Sequence, residues 1–234
     1  MGRIFTLDAS RDVDLVGGAA SYLAILARAK MPIVDGFVIP MGLSLADGLS
    51  NEIMRNFERL NCNRVVLRTS PRSHELDGEI LRDVRGDTLI DAVRYLQRNI
   101  ARRGRQAAII VQKHLNAEIS GVAHSINPVT NRENEILIES SIWMNDTVLG
   151  GENEPSFILV NKRTGAMMHE SEENAESCLD AHLVEQVYTL LRRVERRAAI
   201  PISMDWALNN GHLYILRIRP INKKTRERYQ TCQL

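Results

Sequence analysis

Residues Ile109 to Thr130, IIVQKHLNAEISGVAHSINPVT, constrain the fold more than any other stretch of the chain. The apolar run Ile109-Ile110-Val111 gives way to a polar break and then to an alternating segment, Ile119 to Ile126, that stops at Asn127-Pro128. This pattern predicts two strands joined by a turn. Proline cannot donate to a strand ladder and asparagine tolerates turn conformations, so Asn127-Pro128 ends the second strand. Gly121 sits inside the alternation. Glycine weakens a strand, so its presence there marks a bulge or a place where another backbone or a ligand comes close.

A chain of 234 residues, 44% apolar and 25% charged, has room for one large domain or two small lobes. Its 30 basic and 29 acidic residues leave a net charge of +1, so nothing global points to nucleic acid, an acidic partner or a membrane surface. Cys62, Cys178 and Cys232 are dispersed and odd in number, which gives neither a disulfide framework nor a metal-ligand spacing. They suit a reducing compartment, and the expected location is the cytoplasm. No apolar run approaches the length of a bilayer span, and Arg3, Asp8, Arg11, Asp12 and Asp14 stand where a signal peptide would carry an apolar core. Met1-Gly2 with Thr6 and Asn145-Asp146-Thr147 match lipidation and glycosylation patterns short enough to arise by chance, and both are discounted.

The rest of the chain divides into recognisable pieces. Val16 to Lys30 opens on the Gly17-Gly18 pair and continues as a helix with Tyr22, Leu23, Leu26 and Ala27 on one face. A glycine turn feeding a helix N-terminus is able to hold an anion, although most such turns are only turns. A brief strand at Gly36 to Ile39 and a helix around Leu45 to Leu60 follow. Arg64 to Ser70 reads as a buried strand whose end, Arg68-Thr69-Ser70, offers a cation and two hydroxyls to a phosphate; an arginine paired with a surface carboxylate is the alternative. Ser73 to Gly86 reads as a polar loop. Asp87 is the expected cap of a helix with Leu89, Ile90, Val93, Leu96 and Ile100 inward. Strands are expected at Glu135 to Glu139 and Ser156 to Val160, with a turn at Asn161 to Gly165 and loops at Trp143 to Gly151 and Glu170 to Ser177. Leu179, Leu183, Val187, Leu190, Leu191 and Val194 trace the clearest helix. A last hairpin, Ile202 to Ala207 and Leu213 to Pro220, turns at Asn209-Asn210-Gly211. Arg217 and Arg219 share one face of its second strand and need a partner, either Asp205 or an anionic ligand. The expected division is an N-terminal lobe over 1–105, a second lobe over 106–222 and a polar tail over 223–234.

In this order the pieces resemble the N-terminal ATP-binding domain of the phosphoenolpyruvate synthase and pyruvate phosphate dikinase family. The likeness rests on Val16-Gly-Gly18, Leu67-Arg-Thr-Ser70, Val84-Arg-Gly86, Val111-Gln-Lys113 with Ser120-Gly-Val122 and Asn127-Pro128, Met204-Asp-Trp-Ala207, and Leu213 to Pro220. The resemblance implies an α+β, ATP-grasp-like fold of two lobes with mainly antiparallel sheet and flanking helices. It implies ATP and magnesium as ligands. Gln112, Lys113, His114 and Leu115 would line the adenine pocket, Gly17 and Gly18 would lie at the phosphates, and Arg68 and Arg219 would face the transferring phosphate, with Arg217 beside Arg219 as a further candidate of this chain's own. Asp205 and Asp146 would hold the metal. Magnesium takes hard oxygen ligands and a triphosphate needs several cations, so these residue types suit that chemistry.

Several positions depart from the family pattern. Ala19 stands where the family has a phosphate-binding lysine, Asp205 replaces a magnesium-site glutamate, and Arg217 replaces a glutamine. Trp143-Met-Asn-Asp146 replaces a Gly-Leu-Gly-Glu loop, and the lid is cut down to His74 to Leu81. Losing the lysine removes a charge-assisted contact of about 1.5 to 3 kcal/mol, roughly ten- to a hundredfold in affinity. Arg217 either supplies that missing cation or pairs with Asp205 and keeps magnesium out. The chain has no Thr-x-His phosphocarrier motif, and His114, His124 and His169 read as structural histidines. The expected function is a stand-alone ATP-binding module, with phosphate transfer open to it only where a partner protein or small molecule supplies the acceptor; the alternative is a non-catalytic binding or regulatory descendant. Nucleic-acid binding through Arg94, Arg98, Arg102, Arg103, Arg192, Arg193, Arg196 and Arg197 is disfavoured by interspersed acids and only 5% aromatic residues.

Overall fold

The computed structural model describes residues 4–9, 12–45, 48–73, 78–142, 156–170, 179–222 and 225. Its contacts divide the chain into two compact units, Met1–Leu115 and Asn116–Leu234. The division falls later than the expected 105/106 boundary because the strand at Ala107–Lys113 hydrogen-bonds only within the first unit. The loop over Trp143 to Gly151, most of the tail over 223–234 and the loop up to Ser177 lie outside the described residues.

The first unit contains β1 (Phe5–Thr6), α1 (Val13–Arg28), β2 (Gly36–Ile39), α2 (Leu49–Arg59), β3 (Arg64–Pro71), β4 (Ile80–Arg85), α3 (Leu89–Arg102) and β5 (Ala107–Lys113). Its antiparallel sheet has the order β1-β2-β5-β3-β4. Strand alternation sends Phe37, Ile39, Val65, Leu67, Ile109 and Val111 to one face, where Leu49 and Ile53 of α2 and Leu89, Val93 and Leu96 of α3 complete a core. The opposite face presents Val38, Ala108 and Ile110 to Val16, Ala20 and Leu23 of α1. Asp12 caps α1 by accepting from the Asp14 amide.

The second unit contains β6 (Ile119–His124), β7 (Glu135–Ile142), β8 (Ser156–Asn161), β9 (Met167–Glu170), α4 (Ala181–Ala198), β10 (Ile202–Asn209) and β11 (His212–Pro220). The antiparallel sheet runs β11-β10-β6-β7-β8-β9. Met204, Ala123, Ile138 and Ile158 pair in one buried row. The apolar stripe of α4, from Leu183 to Val194, lies on β6, β7 and β10. Asp180 caps α4 through the Leu183 amide.

Three expectations need correction. The strands within Ile109 to Thr130 exist, but they do not pair: β5 bonds to β2 and β3, and β6 bonds to β10 and β7. The polar break that reads as a hairpin turn is the passage from one unit to the next. Ser73 to Gly86 is not all loop, because β4 forms along β3, with Val65 opposite Val84 and Leu67 opposite Leu81. Only those alternating apolar positions announce β4, and pairing with an existing strand overrides a polar local sequence. Helix α3 is preceded by Thr88 as its cap residue and not by Asp87.

The two special positions of the opening stretch have clear structural causes. A Cβ on Gly121 would lie 1.9 Å from the Glu139 carbonyl oxygen and 2.9 Å from Trp206 Cζ2, so β7 and the buried indole occupy the space a side chain needs. Asn127 closes the strand by accepting from the Val129 and Thr130 amides and donating to Glu135 Oε2 at 2.8 Å. The Arg132 guanidinium, 2.8 Å from Glu135 Oε1, helped by the Asn127 amide, holds the Glu135 carboxyl below its ordinary range. We predict that Gly121→Ala, which forces the sheet or Trp206 to shift, lowers unfolding free energy by about 1 to 3 kcal/mol in urea titration; unchanged stability would show that the close approach is not a real constraint.

Candidate functional site

On the face of the second sheet opposite the Met204 row, alternation gathers polar side chains. Asp205 pairs with Val122 and with Arg217, Val122 pairs with Glu139, and Ser203 pairs with His124 and Arg219. Paired residues in an antiparallel sheet point the same way, so Ser203, Asp205, His124, Glu139, Arg217 and Arg219 share one face. The pairing of β10 with β11 slips between Asp205 and Trp206, and Trp206 pairs with Ile215.

Asp205 is the centre of this face. Arg217 donates from Nε to Oδ2 at 2.8 Å, and Arg219 donates from Nη2 to Oδ1 at 2.7 Å. The side chains are 13%, 20% and 29% exposed for Asp205, Arg217 and Arg219, so the triad is largely out of water. Each carboxylate oxygen therefore carries a charge-assisted bond of about 1.5 to 3 kcal/mol. Arg219 Nε is buried and meets no hydrogen-bond acceptor among the described residues. The face is thus rich in donors, with its central acceptor already engaged. His124, buried, shares a 2.9 Å hydrogen bond between Nδ1 and Ser203 Oγ, and its Nε2 lies 3.9 Å from Glu139 Oε1. Asp146 lies outside the described residues. Among the described residues no group of three His, Cys, Asp or Glu side chains could hold a metal ion. Magnesium prefers near-octahedral oxygen coordination, and to reach Asp205 it would have to displace two guanidinium bonds. The described residues do not fit a magnesium ion.

The site candidates of the first unit occupy other surroundings. Arg68 is half-buried and, paired with Ile110, lies on the α1 face of the sheet. The hydroxyls beside it have internal tasks. Thr69 Oγ1 accepts from the Glu79 amide at 2.7 Å, holding the entry to β4, and Ser70 Oγ accepts from the Ala20 amide at 3.1 Å. Gly17 breaks α1 with φ 75° and ψ 170°, and a Cβ there would lie 1.9 Å from the Ser70 carbonyl oxygen. The Gly17-Gly18 pair thus lets helix and strand end touch, and one of the helix amides that an anion would use is taken by Ser70. Gln112 is 1% exposed, donates to the Val34 carbonyl at 3.0 Å, and keeps a buried Oε1 without a partner among the described residues. Lys113 pairs with Asp35 at 2.9 Å. His114 and Leu115 are half-buried, and the His114 amide donates to the Arg64 carbonyl. Burial is the main cause that pushes the His114 imidazole below its ordinary value. Burial likewise pushes the Cys62 thiol up.

The sequence offers Asp205 as one of two candidate partners for Arg217 and Arg219, the other being an anionic ligand, and gives no sign that Glu139 and His124 share their face. The signal was present in the alternation of β6 and β7, but it needed the strand register to be read. Among the described residues no helix is long and apolar enough to cross a membrane.

Residues 79–175 match the family model described as pyruvate phosphate dikinase, AMP/ATP-binding domain. A probable phosphoenolpyruvate synthase of Methanocaldococcus jannaschii is 26% identical over 137 residues, covering 49% of this chain and 12% of that protein. A probable phosphoenolpyruvate synthase of Archaeoglobus fulgidus is 22% identical over 309 aligned positions, covering 93% of this chain and 41% of that protein. The chain therefore spans less than half the length of these relatives. Among solved structures, a D-alanine–D-alanine ligase from Bacillus anthracis superposes with a TM-score of 0.50 at 12% identity, covering 97% of this chain and 64% of that one. The fold is ATP-grasp-like.

Two outcomes are expected from this geometry. Asp205→Ala leaves two partly buried guanidinium groups without their shared acceptor, and urea titration should show a loss of about 1 to 3 kcal/mol after allowance for partial solvent screening; a change below about 0.5 kcal/mol would mean that the triad is only a surface pairing. His114 is held neutral in the folded state, so its contribution to stability is present above its unfolded pKa and is lost as pH falls through the lower folded value. NMR titration should place its midpoint below 6.5, and the part of the acid-side stability loss that His114 causes should vanish in His114→Gln; a midpoint at or above 6.5 contradicts the assignment.

Proposed function

We propose, from the premise that this chain is a divergent relative of the N-terminal ATP-binding domain of phosphoenolpyruvate synthase and pyruvate phosphate dikinase, that it is a nucleotide-binding module whose ligand is ATP. The observation that carries this reading is the donor-rich face around Asp205, where the buried Nε of Arg219 awaits an acceptor. Phosphate oxygens are strong acceptors, and arginine presents its donors in a fork that matches them. Arg217 and Arg219 are assigned to the phosphates. In the first unit, Arg68, Gly17 and Gly18 remain the family-based assignments for phosphate, and Gln112, Lys113, His114 and Leu115 those for adenine. The dispersed thiols favour a cytoplasmic setting.

Phosphoryl transfer from ATP to a partner protein or small molecule is the second reading, and the names of the relatives favour it. Such transfer depends on metal ions that bridge phosphate oxygens and neutralise developing charge. An Asp205 committed to two arginines does not supply a metal ligand, so binding without turnover is the stronger reading. Calorimetric titration should give saturable ATP binding that Arg219→Ala weakens roughly ten- to a hundredfold. Absence of heat at millimolar nucleotide contradicts the reading, and ADP release above background moves the balance to transfer.

A further inference from the structure

We infer that the second unit takes its nucleotide phosphates without magnesium, with the Arg217 guanidinium occupying the place at Asp205 that a divalent cation would need. The inference rests on the ATP reading and adds the form of the ligand: free triphosphate, not its magnesium complex.

Three observations within this unit carry it. Both oxygens of Asp205 accept from guanidinium groups, at 2.8 Å from Arg217 Nε and 2.7 Å from Arg219 Nη2. A cation arriving at Asp205 would meet two fixed positive charges and would have to break both bonds, which lowers its affinity roughly a hundredfold or more. The buried Arg219 Nε has a donor and no acceptor among the described residues, so what this face lacks is an anion's oxygen and not a cation. Finally, with Glu139 on the same face the two arginines balance two carboxylates, so it is the forked guanidinium donors, and not a net positive charge, that a phosphate can use through charge-assisted bonds. Magnesium bound to ATP would cover phosphate oxygens and repel the same guanidinium groups. Excess magnesium should therefore compete with the protein for ATP.

The test is ATP binding measured by calorimetry on the whole chain, once in excess EDTA and once in excess magnesium chloride. ATP is expected to bind in EDTA at least as tightly as in magnesium. Arg217→Gln frees one Asp205 oxygen and removes one charge, and in this variant magnesium is expected to tighten ATP by about tenfold. Arg217→Lys keeps the charge and should keep the preference for free ATP. Manganese binding followed by electron paramagnetic resonance, without nucleotide, gives an independent measure: little binding to the wild-type chain and clear binding to Arg217→Gln. Wild-type binding that requires magnesium overturns this inference and leaves the ATP reading intact. Absence of ATP binding under both conditions overturns both. The wild-type comparison stands even if the variants fail to fold.

Discussion

An aspartate on a largely buried sheet face cannot remain without partners, and Asp205 meets that demand with two arginines from the adjacent strand. The arrangement depends on local register. Arg217 stands opposite Asp205 and Arg219 stands two residues on, opposite Ser203, so both guanidinium groups reach the same carboxylate from one side of β11. The register slip that follows lets Trp206 pair with Ile215 and turn into the apolar layer, where its indole meets the backbone at Gly121. The charged side and the packed side of β10 are fixed by the same few residues, so a change at either is felt by both.

The first unit shows how residue types that suit phosphate binding are used for packing. The glycine pair within α1 and the Thr-Ser pair near the end of β3 are residue types that an anion site can use. Here Gly17 allows the helix to touch the end of β3, Ser70 caps the Ala20 amide and Thr69 holds the chain that enters β4. Ala19, directly after the glycine pair, adds no cation.

Much of this was legible in the sequence, and the misses have physical causes. The strand edges at Gly36, Ile39 and Pro71, the α4 stripe and the closing hairpin follow directly from proline, glycine and periodicity. Two arginines sharing a strand face call for a partner, and the sequence leaves Asp205 and an anionic ligand as equals; the hydrogen bonds to Asp205 decide for the carboxylate. Strand β4 escaped because its alternation is carried by only a few apolar residues and its formation depends on β3, which is distant in no local pattern. The partners of β5 and β6 escaped for a related reason: periodicity identifies a strand and says nothing of which sheet it joins. Glu139 and His124 were visible as residues and invisible as neighbours of Asp205, since that requires knowing that β6 lies between β7 and β10.

Guanidinium groups, and not a metal ion, are proposed to meet the phosphates at Asp205. A crystal structure of the chain grown with ATP and magnesium tests this most directly. Phosphate oxygens should lie within hydrogen-bond distance of the Arg217 and Arg219 guanidinium groups, with Arg217 still donating to Asp205 and no cation between Asp205 and the phosphates. A magnesium ion coordinated by Asp205, with Arg217 displaced, would contradict it.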